Sequence, residues 1–149
     1  MITRNFESNA KAVEKCRWKV TELDFFWSDD DWPDSITECG QDCEIILAAD
    51  VVYDENITLH FFKTLKKLLS SSAKTAFIAI EKRQHAGING TIIAPNYEIF
   101  LEQMTLLHNS ILDEYKIVVE NISIGFTQYL KYSRVNELNL FKITSIVNE

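Results

Sequence analysis

Two short apolar runs in the middle of the chain, each bounded by charged residues, predict buried strands. The first covers residues 45–49, in a predicted strand over 44–49, and the second covers residues 75–80. Unbroken apolar runs of this length are typical of strands that are covered on both faces, as in a parallel sheet with helices on either side. The first strand is therefore predicted to lie at the centre of a sheet.

The segment between these strands has the spacing of an amphipathic helix. Asp54 stands where it can cap the first turn, and three lysines lie off the apolar stripe. The stripe consists of Ile57, Phe61, Phe62, Leu65, Leu68 and Leu69. Strand, helix and strand together predict a right-handed crossover unit, whose second strand ends at Glu81-Lys82-Arg83.

Further elements are predicted on both sides of this unit. Before it come a helix over residues 5–15, a short alternating strand over 18–25 and an acidic loop over 28–42. After it, Pro95 opens a helix with one apolar face, and two final strands over 116–124 and 138–147 are predicted to pair antiparallel. That face carries Tyr97, Phe100, Leu101, Met104 and Leu107.

This order of elements indicates an α/β fold, a doubly wound sheet in one domain over residues 1–149. In such sheets, ligands bind in the crevice beyond the carboxyl ends of the strands. Functional residues are therefore expected at residues 25–31, 50–54 and 81–83.

Composition and charge narrow the class of partner. The 149 residues contain no apolar run near the ~20 residues of a membrane span, and the first residues lack the apolar core of a signal peptide. An intracellular protein of the nucleus or cytoplasm is expected, with no membrane contact. The net charge of −7 argues against direct nucleic-acid binding, which needs a basic surface, and favours a basic protein partner.

The three cysteines, Cys16, Cys39 and Cys43, cannot form a complete set of disulfides and are expected to be reduced thiols. Cys39 and Cys43 are spaced as a loose metal-binding pair. No second Cys or His pair follows to complete a tetrahedral site, so no metal is predicted.

A carboxylate and a tyrosine follow the first buried strand, as Asp50-Val51-Val52-Tyr53. This segment resembles the Asp-x-x-Tyr signature of the seven-β-strand, S-adenosylmethionine-dependent protein-lysine methyltransferases of the methyltransferase-like group. Supporting similarities, in the same order along the chain, are Asn5-x-x-x-Asn9, Glu22-Leu23-Asp24-Phe25, Asp54-Glu55 and Ala79-x-Glu81-Lys82-Arg83. The resemblance covers essentially the whole chain and implies a Rossmann-like sheet, mostly parallel with its last strand antiparallel.

The resemblance also implies roles for particular residues. Asp50 and Tyr53 would be catalytic, since the carboxylate orients the substrate ammonium and the ring offers it a π face. Ala49 would let S-adenosylmethionine approach the strand end, and either Phe25 or Trp27 would flank the adenine. For both aromatic residues, packing in the core is the open alternative. From the residues alone, the alternative is that Asp50 is a helix-capping or turn carboxylate and that Tyr53 is an aromatic that packs on the following helix.

Glu81 and Arg83 end the second buried strand at the expected crevice. Two interpretations of this pair remain open. The two side chains help to dock the protein substrate, or they form a salt bridge with each other on the surface.

The sequence departs from the family in one respect. The family's cofactor-binding loop, of the type Glu-x-Gly-x-Gly, has no counterpart among the four glycines at positions 40, 87, 90 and 125. The chain therefore resembles the C-terminal part of the enzyme without its first two strands. This predicts an exposed apolar edge on the strand over 44–49 and detachment of the strand that ends at Phe25.

Three hypotheses about function follow. The first is an N-terminally truncated protein-lysine methyltransferase with S-adenosylmethionine as the methyl donor. The second is a non-catalytic fragment of that fold, which acts at most as a protein-interaction module. The third is a different α/β nucleotide-binding protein that shares the sheet by convergence, because a fold alone does not imply a function.

Overall fold

A five-stranded sheet with two long helices on one face organises the chain. The computed structural model describes residues 2–87, 90–112, 114–128, 130, 133 and 135–148. The helices are α1 (Ile2–Ser8), α2 (Ala10–Val13), α3 (Asp34–Asp42), α4 (Glu55–Leu69) and α5 (Pro95–His108), with one 3-10 turn at Asp29–Asp31. The strands are β1 (Ile45–Ala49), β2 (Lys74–Glu81), β3 (His85–Ala86), β4 (Ile92–Ile93), β5 (Ile111–Leu112), β6 (Tyr115–Ile122) and β7 (Leu138–Val147).

The order of strands across the sheet is β1-β2-β7-β6-β5, and β3 and β4 form a separate two-stranded sheet. β1 pairs parallel with β2, from Ile45 opposite Thr75 to Ala49 opposite Ala79. β7 lies between β2 and β6 and is antiparallel to both. Consequently β1, β2 and β6 share one direction and β7 runs against them, as predicted for the last strand.

The core lies between the sheet and the helices α4 and α5. Phe62 of α4, Phe100 of α5 and Phe141 of β7 form a chain of ring contacts, with 5.4 Å between successive ring centroids. Ile78 and Ile143, on neighbouring strands, are fully buried on the same side. Because both helices share this core, they cover one face of the sheet among the described residues. The predicted doubly wound arrangement is not observed there.

Two strand predictions are wrong in the described structure. β1 was expected at the centre of the sheet, but it pairs only with β2 among the described residues and so lies at an edge. Residues 18–24 have the alternation of a strand but no regular secondary structure, because no described strand pairs with them. Alternation specifies which side chains share a face, whereas a strand also requires a partner for its backbone hydrogen bonds. The exposed apolar edge that the resemblance predicted is present among the described residues, since β1 has no partner strand on its outer side and its Leu47 is 78% exposed.

The N-terminal segment packs lightly on the rest. The predicted helix over residues 5–15 forms as α1 and α2, which are separated at Asn9 and contain no buried residue.

An ion pair and a cation–π contact join α4 to the segment before α3. Lys67 of α4 pairs with Asp29 at 3.2 Å and lies 4.2 Å from the centroid of the Trp32 ring. In the described part of the chain, no helix combines the length and apolar character needed to cross a bilayer.

Candidate functional site

The carboxyl ends of β1 and β2 meet at one edge of the sheet because the two strands are parallel. Asp50 follows β1 directly, and its amide donates a hydrogen bond to the carbonyl oxygen of Ala79 at 3.1 Å. This bond extends the pairing of the strands by one residue. The edge is the position at which sequence reasoning placed the functional residues.

Asp50 has a left-handed backbone, with φ at 54°. Few residues other than glycine adopt this conformation, and aspartate and asparagine tolerate it best. The conformation turns the chain out of the strand and leaves the carboxylate exposed. Strained backbone of this kind is often found at binding and catalytic sites.

Asp50, Tyr53 and Arg83 form one cluster. The Tyr53 hydroxyl donates to Oδ2 of Asp50 at 3.4 Å, and Nη2 of Arg83 donates to Oδ1 at 2.7 Å. The Arg83 guanidinium carbon lies 5.6 Å from the centroid of the Tyr53 ring. Glu81 contributes a second carboxylate, with its Oε2 3.9 Å from Nε of Arg83. The structure thus joins four residues that the sequence placed at two separate strand ends.

The helix-capping role proposed for Asp50 belongs to Asp54 instead. Oδ1 of Asp54 accepts a hydrogen bond from the Ile57 amide at 2.9 Å, which satisfies a free donor in the first turn of α4. The Thr58 hydroxyl also donates to the Asp54 carbonyl oxygen, at 2.6 Å. Among the described residues, the Asp50 carboxylate caps no helix, and its side-chain partners are the Tyr53 hydroxyl and the Arg83 guanidinium.

A cavity of about 210 Å³ adjoins the cluster. Its lining combines buried apolar side chains with aromatic rings and polar groups, namely Val52, Tyr53, Ile80, Glu81, Arg83, His85, Asn96 and Tyr97. The rings of Tyr53 and Tyr97, the Glu81 carboxylate and the apolar floor suit a side chain with an aliphatic stem and a cationic end.

Two residues of this cavity, Asn96 and Tyr97, were not identified as functional from the sequence. Both lie in the first turn of α5, and Nδ2 of Asn96 donates to the Tyr53 carbonyl oxygen at 2.5 Å, which ties α5 to the end of β1. Burial raises the pKa of the Tyr97 hydroxyl above its usual value. Sequence reasoning assigned Tyr97 to the apolar face of the helix. The sequence offered one sign of their position, because both residues directly follow Pro95, which opens the predicted helix.

The three residues predicted to contact the cofactor, Ala49, Phe25 and Trp27, do not form a cluster like the one at Asp50. Ala49 is exposed at the end of β1. The Phe25 ring packs edge-on against Phe61 of α4, with 5.5 Å between centroids, and Trp27 is half-buried. Within the described residues, no hydrogen bond or ring contact joins Phe25 or Trp27 to Ala49 or Asp50.

S-adenosylmethionine is the cofactor that the resemblance implies, and the described residues do not by themselves fit it. The exposed Ala49 offers room for one contact at the strand end. None of the four glycines, however, lies in a Gly-x-Gly between a strand and a helix, and Gly40 instead packs within α3, facing Leu68. The side chains around Asp50 instead form a cation site, in which the Arg83 guanidinium contacts the carboxylate and lies over the Tyr53 ring.

The three cysteines are free thiols. Among the residues that the structure describes, no three His, Cys, Asp or Glu side chains are grouped closely enough to hold a metal ion.

Comparison with known proteins adds to this geometry. The sequence profile described as lysine methyltransferase matches residues 1–93, which contain Asp50, Tyr53, Glu81 and Arg83. The chain belongs to the lysine methyltransferase family. It is similar to methyltransferase-like protein 22 from Homo sapiens, with 30% identity over 125 residues that cover 82% of this chain and 30% of that protein.

Methyltransferase-like protein 22 from Mus musculus is 29% identical over 122 residues, which cover 80% of this chain and 30% of the relative. The chain thus spans about 30% of the length of these curated relatives. No solved structure matches significantly. The family profile ends before Asn96 and Tyr97, so the match does not cover those two cavity residues.

Proposed function

We propose that the chain carries the substrate-binding part of a protein-lysine methyltransferase. In this reaction, a methyl group passes from S-adenosylmethionine to a lysine amine of a protein. One observation carries the proposal: the exposed Asp50 carboxylate lies beside the Tyr53 ring at the carboxyl edge of the sheet, next to a cavity with an apolar floor. Membership of the lysine methyltransferase family supports it.

Asp50 and Tyr53 have different roles in this proposal. The Asp50 carboxylate attracts and orients the lysine ammonium, and the Tyr53 ring stabilises the cation by about 0.5–2 kcal/mol. A lysine amine must lose a proton, with a reference pKa of about 10.4, before it can accept a methyl group. A nearby carboxylate favours the charged ammonium, so Asp50 positions the substrate and does not promote its deprotonation.

The proposed substrate is a basic protein segment that presents a lysine. The net charge of −7 supports this choice, because an acidic protein attracts basic partners over a distance comparable to the Debye length. The cavity beside Asp50 accommodates the aliphatic part of the lysine side chain between the rings of Tyr53 and Tyr97. Neither a nucleic acid nor a membrane is part of the proposal.

S-adenosylmethionine is the proposed methyl donor, with Ala49 at its approach to β1 and Phe25 or Trp27 beside the adenine. The chain has no Gly-x-Gly loop and spans about 30% of its relatives. We therefore propose that Ala49 and the aromatic side chain supply only part of the contacts to the donor.

The variant Asp50→Asn tests the substrate site. Asparagine tolerates the left-handed backbone and keeps the shape of the side chain, but it removes the negative charge. The variant is expected to bind a peptide with a single lysine about threefold or more weakly than the parent chain, by isothermal titration calorimetry. An unchanged circular dichroism spectrum would show that the fold is retained. Equal affinity in both proteins would contradict the role of Asp50.

The alternative function is a non-catalytic interaction module. It is favoured by one observation, the lack of a glycine loop for the donor in this sequence. Titration of the chain with S-adenosylmethionine separates the two functions. Micromolar binding of the donor would overturn the alternative, whereas binding of the lysine peptide without any binding of the donor would support it for this chain.

A further inference from the structure

The cation site formed by Asp50 and Tyr53 already holds a cation from the same chain. Arg83 donates to Oδ1 of Asp50 at 2.7 Å, and its guanidinium lies 5.6 Å from the Tyr53 ring centroid. These are the two interactions that the proposed function assigns to the substrate ammonium. A substrate lysine and Arg83 cannot both bind Oδ1 of Asp50 and lie over the Tyr53 ring at the same time.

We propose that Arg83 is an internal competitor of the substrate lysine, and that substrate binding moves Arg83 from Asp50 to Glu81. This inference rests on the proposed function, because it concerns the same site. It assigns to Arg83 and Glu81 a role in substrate selection that goes beyond docking. The two residues lie on either side of Lys82, at the end of β2.

The position of Glu81 makes this exchange feasible. Its Oε2 is already 3.9 Å from Nε of Arg83, so a small side-chain movement brings the guanidinium into full contact with it. The Arg83 backbone amide donates to the Glu81 carbonyl oxygen at 2.9 Å, which keeps the two residues adjacent during the exchange. The side chains of Arg83 and Asp50 are 46% and 56% exposed, and an exposed ion pair is weak enough to be displaced.

The charges of the cluster support an incoming cation. Asp50 and Glu81 contribute two negative charges, and Arg83 contributes one positive charge. Lys82 does not supply the missing cation to this pair, because its Nζ lies over the Tyr97 ring, 5.6 Å from the centroid. A substrate ammonium would leave each carboxylate with one cation, Asp50 with the substrate and Glu81 with Arg83.

Competition of this kind selects among side chains. A neutral side chain gains nothing by entering the site, because it cannot replace the ion pair that Arg83 loses. The apparent affinity for a lysine is reduced by the fraction of molecules in which Arg83 occupies the site. Removing the competitor is therefore expected to strengthen lysine binding, which is the opposite of what loss of a supporting residue would do.

The experiment measures the affinity of the chain for a peptide with one lysine among glycines and alanines, by isothermal titration calorimetry. The same peptide with norleucine in place of lysine is the control ligand. Arg83→Gln is expected to bind the lysine peptide about two- to fivefold more tightly than the parent chain, the range for an exposed ion pair. Arg83→Lys keeps a cation at this position and is expected to remain close to the parent affinity.

Glu81→Gln provides the second arm. It removes the site to which Arg83 moves, so it is expected to weaken binding of the lysine peptide. In the double variant, with Arg83→Gln as well, no arginine has to move, so the loss of the Glu81 carboxylate removes no acceptor that the exchange needs. The double variant is therefore expected to bind as tightly as Arg83→Gln alone, and circular dichroism of each variant checks the fold.

The outcomes separate this inference from the proposed function. If Arg83→Gln binds more weakly and Asp50→Asn also binds more weakly, Arg83 supports Asp50 and the competition is overturned while the substrate site stands. If neither the parent chain nor Arg83→Gln distinguishes lysine from norleucine, both the inference and the proposed site are overturned. Tighter binding by Arg83→Gln, abolished by adding Asp50→Asn, supports both.

Discussion

Asp50 and Asp54 stand four residues apart and have different roles because their surroundings differ. Asp54 has extended backbone and accepts the Ile57 amide at the start of α4. Asp50 has left-handed backbone and contacts the side chains of Tyr53 and Arg83. The Asp-x-x-Tyr pattern predicts a functional role for Asp50, and the position of Asp54 before the helix predicted the cap that the structure shows. The contact with Arg83, 33 residues further along, had no signal in either pattern.

The first prediction concerns the Asp54 cap. Asp54→Ala is expected to lower the free energy of unfolding by about 1 kcal/mol, because the Ile57 amide loses its acceptor in the first turn of α4. Urea denaturation followed by circular dichroism measures the change. Asp54→Ser retains a capping oxygen and is expected to restore most of the stability. A fully stable Asp54→Ala variant would show that the cap contributes nothing.

At the scale of elements, β1 differs most from its prediction. Its continuous apolar sequence is that of a strand covered on both faces, yet Ile45 and Leu47 are 57% and 78% exposed. Ile46 and Ala48, which alternate with them, pack against the core. Among the described residues, the outer edge of β1 has no partner strand. Exposed apolar edge strands promote pairing with other chains.

The second prediction follows from this edge. Leu47→Lys is expected to reduce self-association of the chain, measured by sedimentation velocity at several concentrations, because a charge on an edge strand opposes edge-to-edge pairing. Its effect on the free energy of unfolding is expected to stay within about 0.5 kcal/mol, since Leu47 contributes little to the core. Leu130, which is 77% exposed, provides the control variant Leu130→Lys. An equal decrease in both variants would contradict a specific role of the β1 edge.

At the scale of the whole molecule, the free energy of unfolding depends on alkaline pH through two partly buried groups, Tyr97 and Lys74. Their contributions have opposite signs. Burial raises the pKa of Tyr97, so the unfolded chain ionises first and stability falls as the pH rises above about 10. Burial lowers the pKa of Lys74, an effect that the nearby Cys43 partly opposes, so the unfolded chain retains a proton that the folded chain has released. Lys74 therefore makes the free energy of unfolding rise with pH, in the pH range just below the usual pKa of lysine, about 10.5.

The third prediction isolates the contribution of Tyr97. Tyr97→Phe keeps the ring beside Phe100 but cannot ionise, so its stability relative to the parent chain is expected to increase as the pH rises through about 10. Urea denaturation at a series of pH values measures this difference. Tyr53→Phe removes the same hydroxyl from an exposed ring and is the control. A constant difference between Tyr97→Phe and the parent chain across this range would contradict the assignment.

The local pattern of apolar residues was sufficient to predict β1, α4, β2, α5 and β7, because helical and strand periodicity record which face of each element is buried. It was also sufficient, through the Asp-x-x-Tyr resemblance, to predict the family and the strand end that carries Asp50. The alternating segment over residues 18–25 shows the limit of this reasoning. Periodicity does not specify which distant segment supplies backbone hydrogen bonds.

The tertiary structure alone decided how these elements meet. Among the described residues, β7 lies between β2 and β6, β1 lies at an edge of the sheet, and α4 and α5 pack on one face. The tertiary structure also brought Arg83 to Asp50 and placed Asn96 and Tyr97 beside Tyr53. The physical reason is the same in each case. Contacts between residues far apart in the chain depend on the packing of whole elements, whereas the sequence pattern reports the environment of each element separately.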